Sequence, residues 1–475
     1  MEYTPTIGLE VHAELATRTK MFCDCANEPE AKEPNVHVCP VCTAQPGALP
    51  AINRAAVKQV LRVGAALGGT LATTYSEFDR KSYFYPDIPK GYQISQYAYP
   101  LVSGGTLAGV AITRVHLEED TARSSHVNGQ SLVDFNRSGV PLMELVTEPV
   151  IHDAATAGRF ARELQLLLRT LGASNANLEK GEMRIEANVS VSKGDTLGTK
   201  VEIKNLNSFR SVERAIAFEI ERQIAALEKG ETIVQETRGW EENTQKTFHQ
   251  RFKEGSADYR YFPEPDLPKL VLSEVEDLTP EAVAGTLPEL PWQRRARYQS
   301  TYALKESDID YLVESLTHST FFDAVAEALG GEKVLVALAT NYIVSDLAGW
   351  YAKHGGEEYA ALEPAQFAKL IRMTAAGTLS SRGAKDTLAF MAERGGDPEA
   401  IAHEHGLLQV QDRTALTQIV EQVIVENPSV VAEFRAGKEA VLQFLIGQCM
   451  KASRGAGNPA LFKELLLATL SGTNQ

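Results

Sequence analysis

The sequence predicts an α+β protein in which a strand-rich region is followed by a region made almost entirely of helices. From residue 1 to about 290, short segments alternate between apolar and polar residues, with a few helical segments between them. From about residue 295 to the end, apolar residues recur at helical spacing, with capping residues and glycine breaks. Strands first and helices afterwards is the order expected for an α+β domain joined to separate all-α domains.

The composition is that of an ordinary globular protein. Hydrophobic residues make up 44% and charged residues 23% of the 475 residues, a length that fits about three domains. No segment approaches the roughly 20 apolar residues that a membrane span requires. The start of the chain, MEYTPTIGLEVH, has neither the basic nor the apolar part of a signal peptide. We therefore expect a cytoplasmic protein with no membrane partner.

The net charge of −15 argues against a protein that holds nucleic acid on a broad basic surface. RNA binding through a local patch or through shape remains open. If RNA is the partner, the contact must be concentrated in a small part of the surface.

The first region contains three strands that matter for the site. In IGLEVHAEL, apolar residues alternate with Gly8, Glu10, His12 and Glu14, which is the period of a half-buried strand. EMRIEANVSV shows the same alternation, and TKVEIKNLNSF follows it after the turn SKGDTLGT. This spacing predicts an antiparallel hairpin and hence an antiparallel or mixed sheet.

Two breaks divide the chain into three predicted domains. Pro288 and Pro291 bracket a turn before an Arg-rich helix, and Gly395, Gly396 and Pro398 interrupt the later helices. We place the domains at residues 1–293, 294–405 and 406–475.

Acidic residues provide the first candidate site. Glu10 and His12 lie two apart on the first strand, so their side chains point the same way. Further carboxylates occur in VHLEED (Glu118, Glu119, Asp120) and in PLMELVTEP (Glu144, Glu148). Oxygen ligands with one imidazole suit Mg²⁺ or Mn²⁺ better than Zn²⁺. The alternative is that these polar residues simply face solvent.

The cysteines form a second candidate site. Cys23, Cys25, Cys39 and Cys42 give a C-x-C…C-x₂-C pattern, which is typical of tetrahedral structural zinc. Four ordinary buried thiols are the alternative. Cys449 stands alone in a predicted C-terminal helix, where we expect it in the core.

The segment FDRKSYFYPDIPKGYQISQY interleaves cations with aromatic residues. It predicts a loop that binds nucleotide phosphate or a tRNA terminus, or else a loop packed over the core by its aromatic rings. The sequence has no Walker loop, no G-x-G-x-x-G and no G-x-S-x-G nucleophile elbow.

Seven blocks together resemble the B subunits of the heterotrimeric aspartyl/glutamyl-tRNA amidotransferases. They are IGLEVHAEL, CPVC followed by QPGALP, SEFDRKSYFYPDIPKGYQISQY, VHLEEDTARSSH, DFNRSGVPLMELVTEP, GEMRIEANVSV and EIKNLNSF. The resemblance continues through VIVENPSVVAEFRAGKEAVLQFLIGQCMKASRGAGNP and so covers essentially the whole chain.

The resemblance implies a fold and an enzymatic activity. The fold is a glutamine synthetase/guanidino-kinase-like antiparallel-sheet cradle (1–293) with an inserted zinc knuckle, followed by all-α helical (294–405) and tail (406–475) domains. The activity is that of a glutamine-dependent carbon–nitrogen ligase, which uses ATP to amidate Glu-tRNA(Gln), Asp-tRNA(Asn) or both. Ammonia would come from an amidase-type A subunit, with a small C subunit completing the heterotrimer.

The resemblance also implies roles for individual residues. Mg²⁺ would be bound by Glu10, His12, Glu119 and Glu144, which would also be the catalytic residues, and structural Zn²⁺ by the four paired cysteines. Candidates to bind nucleotide or substrate are Arg80, Lys81, Tyr83, Lys90, Arg184, Asn188, Lys204, Asn205 and Asn207.

The tail is the expected tRNA contact. Its candidates are Lys451, Arg454 and Lys463, in a stretch without acidic residues. The alternative is a helix-ending loop with scattered charges.

Three other functions remain as rivals. An archaeal E-type subunit would share the cradle, but the sequence leaves no room for its usual inserted domain. A non-catalytic RNA-binding scaffold would have no reason to gather metal ligands. A metal-dependent ligase for small molecules would not need the long helical tail.

Overall fold

This computed structural model describes residues 2–194, 196–252, 259–409, 412–453 and 457–470. The chain divides into two compact units, Met1–Pro291 and Trp292–Gln475, which we describe one at a time.

The first unit contains both strands and helices. Its strands are β1 (Thr4–Glu14), β2 (Thr70–Leu71), β3 (Asp79–Ser82), β4 (Tyr92–Ser95), β5 (Val102–Ser103), β6 (Thr106–Leu107), β7 (Val110–Glu119), β8 (Arg123–Val127), β9 (Gln130–Asp134), β10 (Pro141–Thr147), β11 (Met183–Ser192), β12 (Val201–Leu206), β13 (Glu236–Glu241), β14 (Lys246–Phe252) and β15 (Phe262–Pro263). Its helices are α1 (Arg54–Ala66), α2 (Ala154–Thr170), α3 (Phe209–Glu228) and α4 (Pro280–Ala284), with 3₁₀ turns at Leu272–Glu274 and Glu276–Leu278.

A large sheet dominates this unit. Among the described residues its strands run in the order β14-β13-β12-β11-β1-β10-β7-β5-β2, and β6 pairs with β7. The neighbouring strands pair antiparallel, except that β12 and β13 are parallel. The predicted hairpin of β11 and β12 is therefore confirmed, and the sheet is mixed as expected.

Alternation along the strands gives the sheet one apolar and one polar face. Leu9 and Val11 of β1 are buried with the other apolar residues of the sheet, and α3 packs against β11 and β12. The helices begin at side-chain caps, because Asp153 accepts a hydrogen bond from the Thr156 amide and Ser208 from the Ser211 amide. This packing fixes which face of each strand remains polar.

The cation–aromatic segment is more ordered than a loop. It forms β3 and β4, which pair antiparallel, and β15 pairs with β3 to make a small three-stranded sheet. A turn ending at Gly91, whose φ is +72°, joins β3 to β4. Because side chains alternate along β3, Arg80 and Lys81 point to opposite faces.

The described residues of the second unit form helices joined by turns and loops, with one isolated bridge between Leu379 and Leu408, as the sequence predicts for a helical region. Its helices are α5 (Pro291–Tyr302), α6 (Glu306–Val313), α7 (Leu316–Ala328), α8 (Lys333–Asn341), a π-helical turn (Tyr342–Leu347), α9 (Ala348–His354), α10 (Pro364–Ala375), α11 (Ser381–Arg394), α12 (Pro398–Glu404), α13 (Arg413–Glu426), α14 (Pro428–Arg435), a 3₁₀ turn (Glu439–Val441), α15 (Leu442–Ala452) and α16 (Pro459–Leu470). Residues of α13 to α16, including Leu416, Cys449 and Phe462, share one hydrophobic core. In the described part of the chain, no helix is long and apolar enough to span a membrane.

Candidate functional site

The strand register brings acidic and histidine side chains together on the polar face of the large sheet. His12 of β1 pairs with Glu144 of β10, and Glu144 pairs in turn with His116 of β7. Glu10 and Glu118 lie two residues along from His12 and His116, so they point to the same face. We call these five residues the acidic cluster.

The side chains of the acidic cluster are close together around the two histidines. The Nε2 atom of His12 lies 3.4 Å from an oxygen of Glu144, 3.5 Å from Glu118 and 3.9 Å from Glu10. The Nε2 atom of His116 lies 3.3 Å from Glu144 and 3.9 Å from Glu118. Glu118 and Glu144 are almost completely buried.

The pKa values of Glu10, His12 and Glu144 depend on their neighbours. Burial alone would lower the pKa of His12, but the carboxylates of Glu144, Glu118 and Glu10 outweigh it and raise that pKa to about 9. Burial and the charge of Glu144 raise the pKa of Glu10. Burial would raise the pKa of Glu144, but the two histidines hold it well below its usual range. In the metal-free chain, His12 therefore carries a proton at neutral pH.

The donor set fits a divalent cation. Ligand atoms of Glu10, His12 and Glu144 lie within 4.8 Å of one another, as do those of His116, Glu118 and Glu144. Carboxylate oxygens are the preferred ligands of Mg²⁺, and buried carboxylates without a compensating cation are costly. In the metal-free chain, the proton on His12 supplies part of the positive charge that offsets the buried carboxylates. A bound metal ion would take the place of this proton.

The polar face continues onto β11 and β12. Glu10, Glu186 and Glu202 also place ligand atoms within 4.8 Å of one another. Lys204 donates to Glu186 at 2.8 Å, and Thr237 donates to Glu202 at 2.7 Å. These carboxylates are therefore partly compensated by protein groups.

The four paired cysteines also come together. The Sγ atoms of Cys23, Cys25, Cys39 and Cys42 lie within 4.8 Å of one another, and none is in a disulfide. The buried Lys20 places its Nζ atom 3.8 Å from Cys42 Sγ. Four thiols in one group fit a tetrahedral zinc ion. Cys449 lies elsewhere, buried in the core of the tail helices.

Comparisons with known proteins show the family of this chain. Residues 5–276 match the family model of the GatB/GatE catalytic domain, and residues 320–470 match that of the GatB domain. The chain is 47% identical to the B subunit of the aspartyl/glutamyl-tRNA(Asn/Gln) amidotransferase of Thermomicrobium roseum, with 98% of each chain covered. The chain belongs to the GatB/GatE family. The resemblance seen in the sequence blocks is thereby confirmed.

Other members of the family are similar over comparable lengths. The corresponding B subunit of a Thermus thermophilus strain is 46% identical over 98% of this chain and 99% of its own length. The B subunit of a chloroplastic/mitochondrial glutamyl-tRNA(Gln) amidotransferase from Physcomitrium patens is 44% identical, covering 99% of this chain and 86% of its own.

The structure separates Glu119 from the other predicted metal ligands. Glu119 follows Glu118 on β7 and so points to the opposite face. Its carboxylate accepts hydrogen bonds from Lys90 Nζ at 2.7 Å and from the Ile94 amide at 3.0 Å. Glu118 occupies the position in the acidic cluster that was expected for Glu119. His116 and Glu118 were not predicted as metal ligands. Their alternation in VHLEED indicates that they share one face of β7, and this pattern could have predicted both.

The cations of β3 have different surroundings. Lys81 lies near the acidic cluster: burial would lower its pKa, but Glu118 and Glu144 are among the groups that raise it. Arg80 binds Glu264 through two hydrogen bonds of 2.7 and 2.8 Å and lies over the ring of Tyr92. Arg80 thus forms a bidentate ion pair with the buried carboxylate of Glu264.

The remaining candidates lie on β11, on or just after β12, and at the end of β3. Arg184 donates to Asp120 at 3.0 Å, and the Oδ1 atom of Asn188 is buried without a hydrogen-bond partner among the described residues. Asn205, at a positive φ of 64°, and Asn207 are exposed. The hydroxyl of Tyr83 accepts a hydrogen bond from Arg251 at 3.2 Å.

Two of the three predicted tRNA contacts lie in the described part of the tail. Lys451 is exposed near the end of α15, and Lys463 is exposed on α16. Arg454 lies outside the described residues.

Proposed function

We propose that this chain is the ATP-dependent subunit that amidates the side-chain carboxylate of Glu-tRNA(Gln), Asp-tRNA(Asn) or both. The observation that carries this proposal is the acidic cluster, which lies within the region that matches the GatB/GatE catalytic domain. The relatives that match along the whole chain are named as B subunits of tRNA amidotransferases.

The reaction requires activation because a carboxylate is a poor electrophile. A carboxylate oxygen of the tRNA-bound Glu or Asp attacks the γ-phosphorus of ATP, and ADP leaves. Ammonia then attacks the acyl carbon, the bond from that carbon to the phosphorylated oxygen breaks, and phosphate leaves. The product is the amide, after the nitrogen loses a proton.

We assign Mg²⁺ binding to Glu10, His12, Glu118 and Glu144, with Glu118 in place of Glu119. Bound Mg²⁺ would neutralise charge on the phosphoryl oxygens. His12 must release its proton to become a ligand, and the surrounding carboxylates then lose the counter-charge that it supplied. Lys81, next to the acidic cluster, contributes a fixed positive charge for the phosphate groups of ATP.

We assign other groups to binding and positioning. Arg184, Lys204 and Asn188 lie on strands β11 and β12 of the same sheet, where they can orient nucleotide or substrate. Arg80 and Lys90 act through their ion pairs with Glu264 and Glu119, which hold the small sheet and β7 in place. Asn205 and Asn207 are exposed and Tyr83 is half-buried, and we propose that these three contact the aminoacylated end of the tRNA.

We infer the rest of the assembly from the same proposal. The sheet would be a glutamine synthetase-like cradle in domain 1–293, with a structural zinc ion bound by the four paired cysteines. Domains 294–405 and 406–475 would be helical, the last with Lys451, Arg454 and Lys463 on tRNA. An amidase-type A subunit would supply ammonia and a small C subunit would complete a cytoplasmic heterotrimer.

Amide formation tests the proposal directly. Misacylated tRNA is incubated with ATP, Mg²⁺ and ammonium, with this chain alone and with A and C subunits. We expect amide that requires ATP and is lost in Glu10→Ala, while the variant still binds tRNA. The absence of amide with all subunits and glutamine present would favour the non-catalytic scaffold instead.

A further inference from the structure

A row of tyrosine rings lies beside the small sheet, in the segments that follow β3 and β4 and precede β15, and only Tyr83 among them was given a role above. We call it the tyrosine ladder; its members, in spatial order, are Tyr85, Tyr83, Tyr259, Tyr261 and Tyr97. Successive ring centroids are 4.9, 5.9, 6.1 and 4.4 Å apart. These are the distances of direct aromatic contact.

Both ends of the tyrosine ladder face solvent. Tyr85 and Tyr97 are 55% and 53% exposed, and Phe84 beside Tyr85 is 83% exposed. Each end ring stacks nearly parallel on its neighbour, with interplanar angles of 14° and 16°. The three inner rings are half-buried. A connected row of aromatic rings with exposed ends is typical of a binding surface.

Cations are placed among the rings. The Nζ atom of Lys81 lies 5.1 Å from the ring centroid of Tyr259, and Arg251 donates to the hydroxyl of Tyr83 at 3.2 Å. Rings for base stacking combined with cations for phosphates is the arrangement that binds single-stranded nucleic acid. Such a site does not need a broad basic surface, which the net charge of −15 argues against.

The inner part of the tyrosine ladder lies within electrostatic range of the acidic cluster. Burial and the charges of Glu118 and Glu144 raise the pKa of Tyr261 to about 12, although Lys81 opposes them. Tyr261 and Lys81 therefore lie within electrostatic range of the carboxylates that we assign to catalysis. The inner rings are therefore the ones nearest to the acidic cluster, and both end rings, Tyr85 and Tyr97, are in solvent.

We propose that the tyrosine ladder binds the unpaired 3′-terminal bases of the misacylated tRNA by stacking. The inference rests on the function proposed above, because the reacting carboxylate is attached through an ester to the terminal ribose. The terminal bases must therefore approach when that carboxylate reaches the acidic cluster. Stacking accepts any base, and it does not require the paired stem to contact the sheet.

The test compares binding of two RNAs to the full-length chain. One is a tRNA(Gln) transcript, and the other is the same transcript without its unpaired 3′ nucleotides. Tyr85→Leu and Tyr97→Leu remove an exposed ring, whereas Tyr85→Phe and Tyr97→Phe keep it. Phe248→Leu is the matched control, because Phe248 is a 43% exposed ring on β14 outside the tyrosine ladder.

We expect each Leu variant to raise the Kd for the intact transcript about tenfold, given the usual strength of base–aromatic stacking. The Kd for the trimmed transcript, the KM for ATP, and the Kd of the Phe and control variants should stay unchanged. Equal weakening for both RNAs, or no weakening, would overturn the inference. A raised KM for ATP alone would assign the rings to adenine, and loss of binding to the A subunit alone would assign them to a protein interface.

The outcome is separable from that of the proposed function. A wild-type chain that binds the 3′ end but forms no amide with any subunit present would contradict the catalytic proposal and not the stacking result. If amide forms but the Leu variants change the Kd of the intact and the trimmed transcript equally or not at all, the stacking inference is contradicted and the catalytic proposal is not.

Discussion

The Nε2 atom of His12 lies 3.4 Å from a carboxylate oxygen of Glu144, and the two residues are register partners across β1 and β10. This contact joins two segments that are far apart in sequence and fixes the centre of the acidic cluster. It also gives His12 a proton at neutral pH, because its pKa is raised to about 9.

Metal binding should therefore depend on pH. A proton and a metal ion compete for the imidazole of His12. Below about pH 9 the imidazole carries a proton, which must leave before the metal can bind. We expect the affinity for Mg²⁺ or Mn²⁺ to rise from pH 6.5 to 8.5, by up to about tenfold per pH unit for one displaced proton. Titration calorimetry at fixed ionic strength measures this slope. His12→Gln should flatten it, and a flat wild-type profile would show that the metal does not use this imidazole.

Glu118 and Glu119 should differ in their effect on the metal. Glu118→Gln removes a carboxylate from the acidic cluster, and we expect at least about a tenfold loss of Mn²⁺ affinity. Glu119→Gln changes the partner of Lys90 on the opposite face and should leave that affinity nearly unchanged. Electron paramagnetic resonance of bound Mn²⁺ can be used for both variants. If Glu119→Gln is the more damaging variant, the metal site differs from the one described.

Arg80 should act on stability rather than on ATP binding. Its bidentate bond to Glu264 joins β3 to the segment after β15, and Glu264 is 2% exposed. Arg80→Leu leaves that carboxylate buried without its partner, so we expect a loss of about 3 kcal/mol in the free energy of unfolding. Urea denaturation measures the loss, and Arg80→Leu/Glu264→Gln should recover part of it. A folded Arg80→Leu variant with wild-type stability and a raised KM for ATP would instead place Arg80 on phosphate.

The cysteine group should bind one zinc ion per chain. Elemental analysis of the purified chain should show this ratio, and Cys39→Ser should lose the metal and lower the unfolding temperature because one thiolate ligand is missing. Cys449→Ser is the control, because Cys449 is buried in a separate core and contributes no ligand. Retention of zinc in Cys39→Ser would exclude this site.

The strands of the site could be predicted because their side chains alternate regularly. The alternation in IGLEVHAEL indicated that Glu10 and His12 share a face, and the hairpin of β11 and β12 followed from a short polar turn. The helical second unit followed from apolar spacing and from breaks such as Pro398, where α12 begins. These features are local, so the sequence contains them directly.

Features that depend on contacts between distant segments could not be predicted from the sequence as easily. The sequence shows two adjacent carboxylates. Only the pairing of β7 with β10, and the contact of Glu119 with Lys90 and with the Ile94 amide of β4, decide that Glu118 is the one that enters the acidic cluster. In the same way, the partner of Arg80 lies 184 residues away, which no local pattern reveals. The tyrosine ladder is also assembled from segments that meet only in the folded chain.

The most direct test of the central claim follows an oxygen atom. Glu-tRNA(Gln) labelled with ¹⁸O in its side-chain carboxylate is converted with unlabelled ATP, Mg²⁺ and ammonium by this chain and its A and C subunits. If the carboxylate is phosphorylated, one labelled oxygen per amide formed should appear in the released phosphate, and Glu118→Gln should reduce amide and labelled phosphate together. Amide formed with unlabelled phosphate would contradict the account, because activation would then not pass through the side-chain carboxylate.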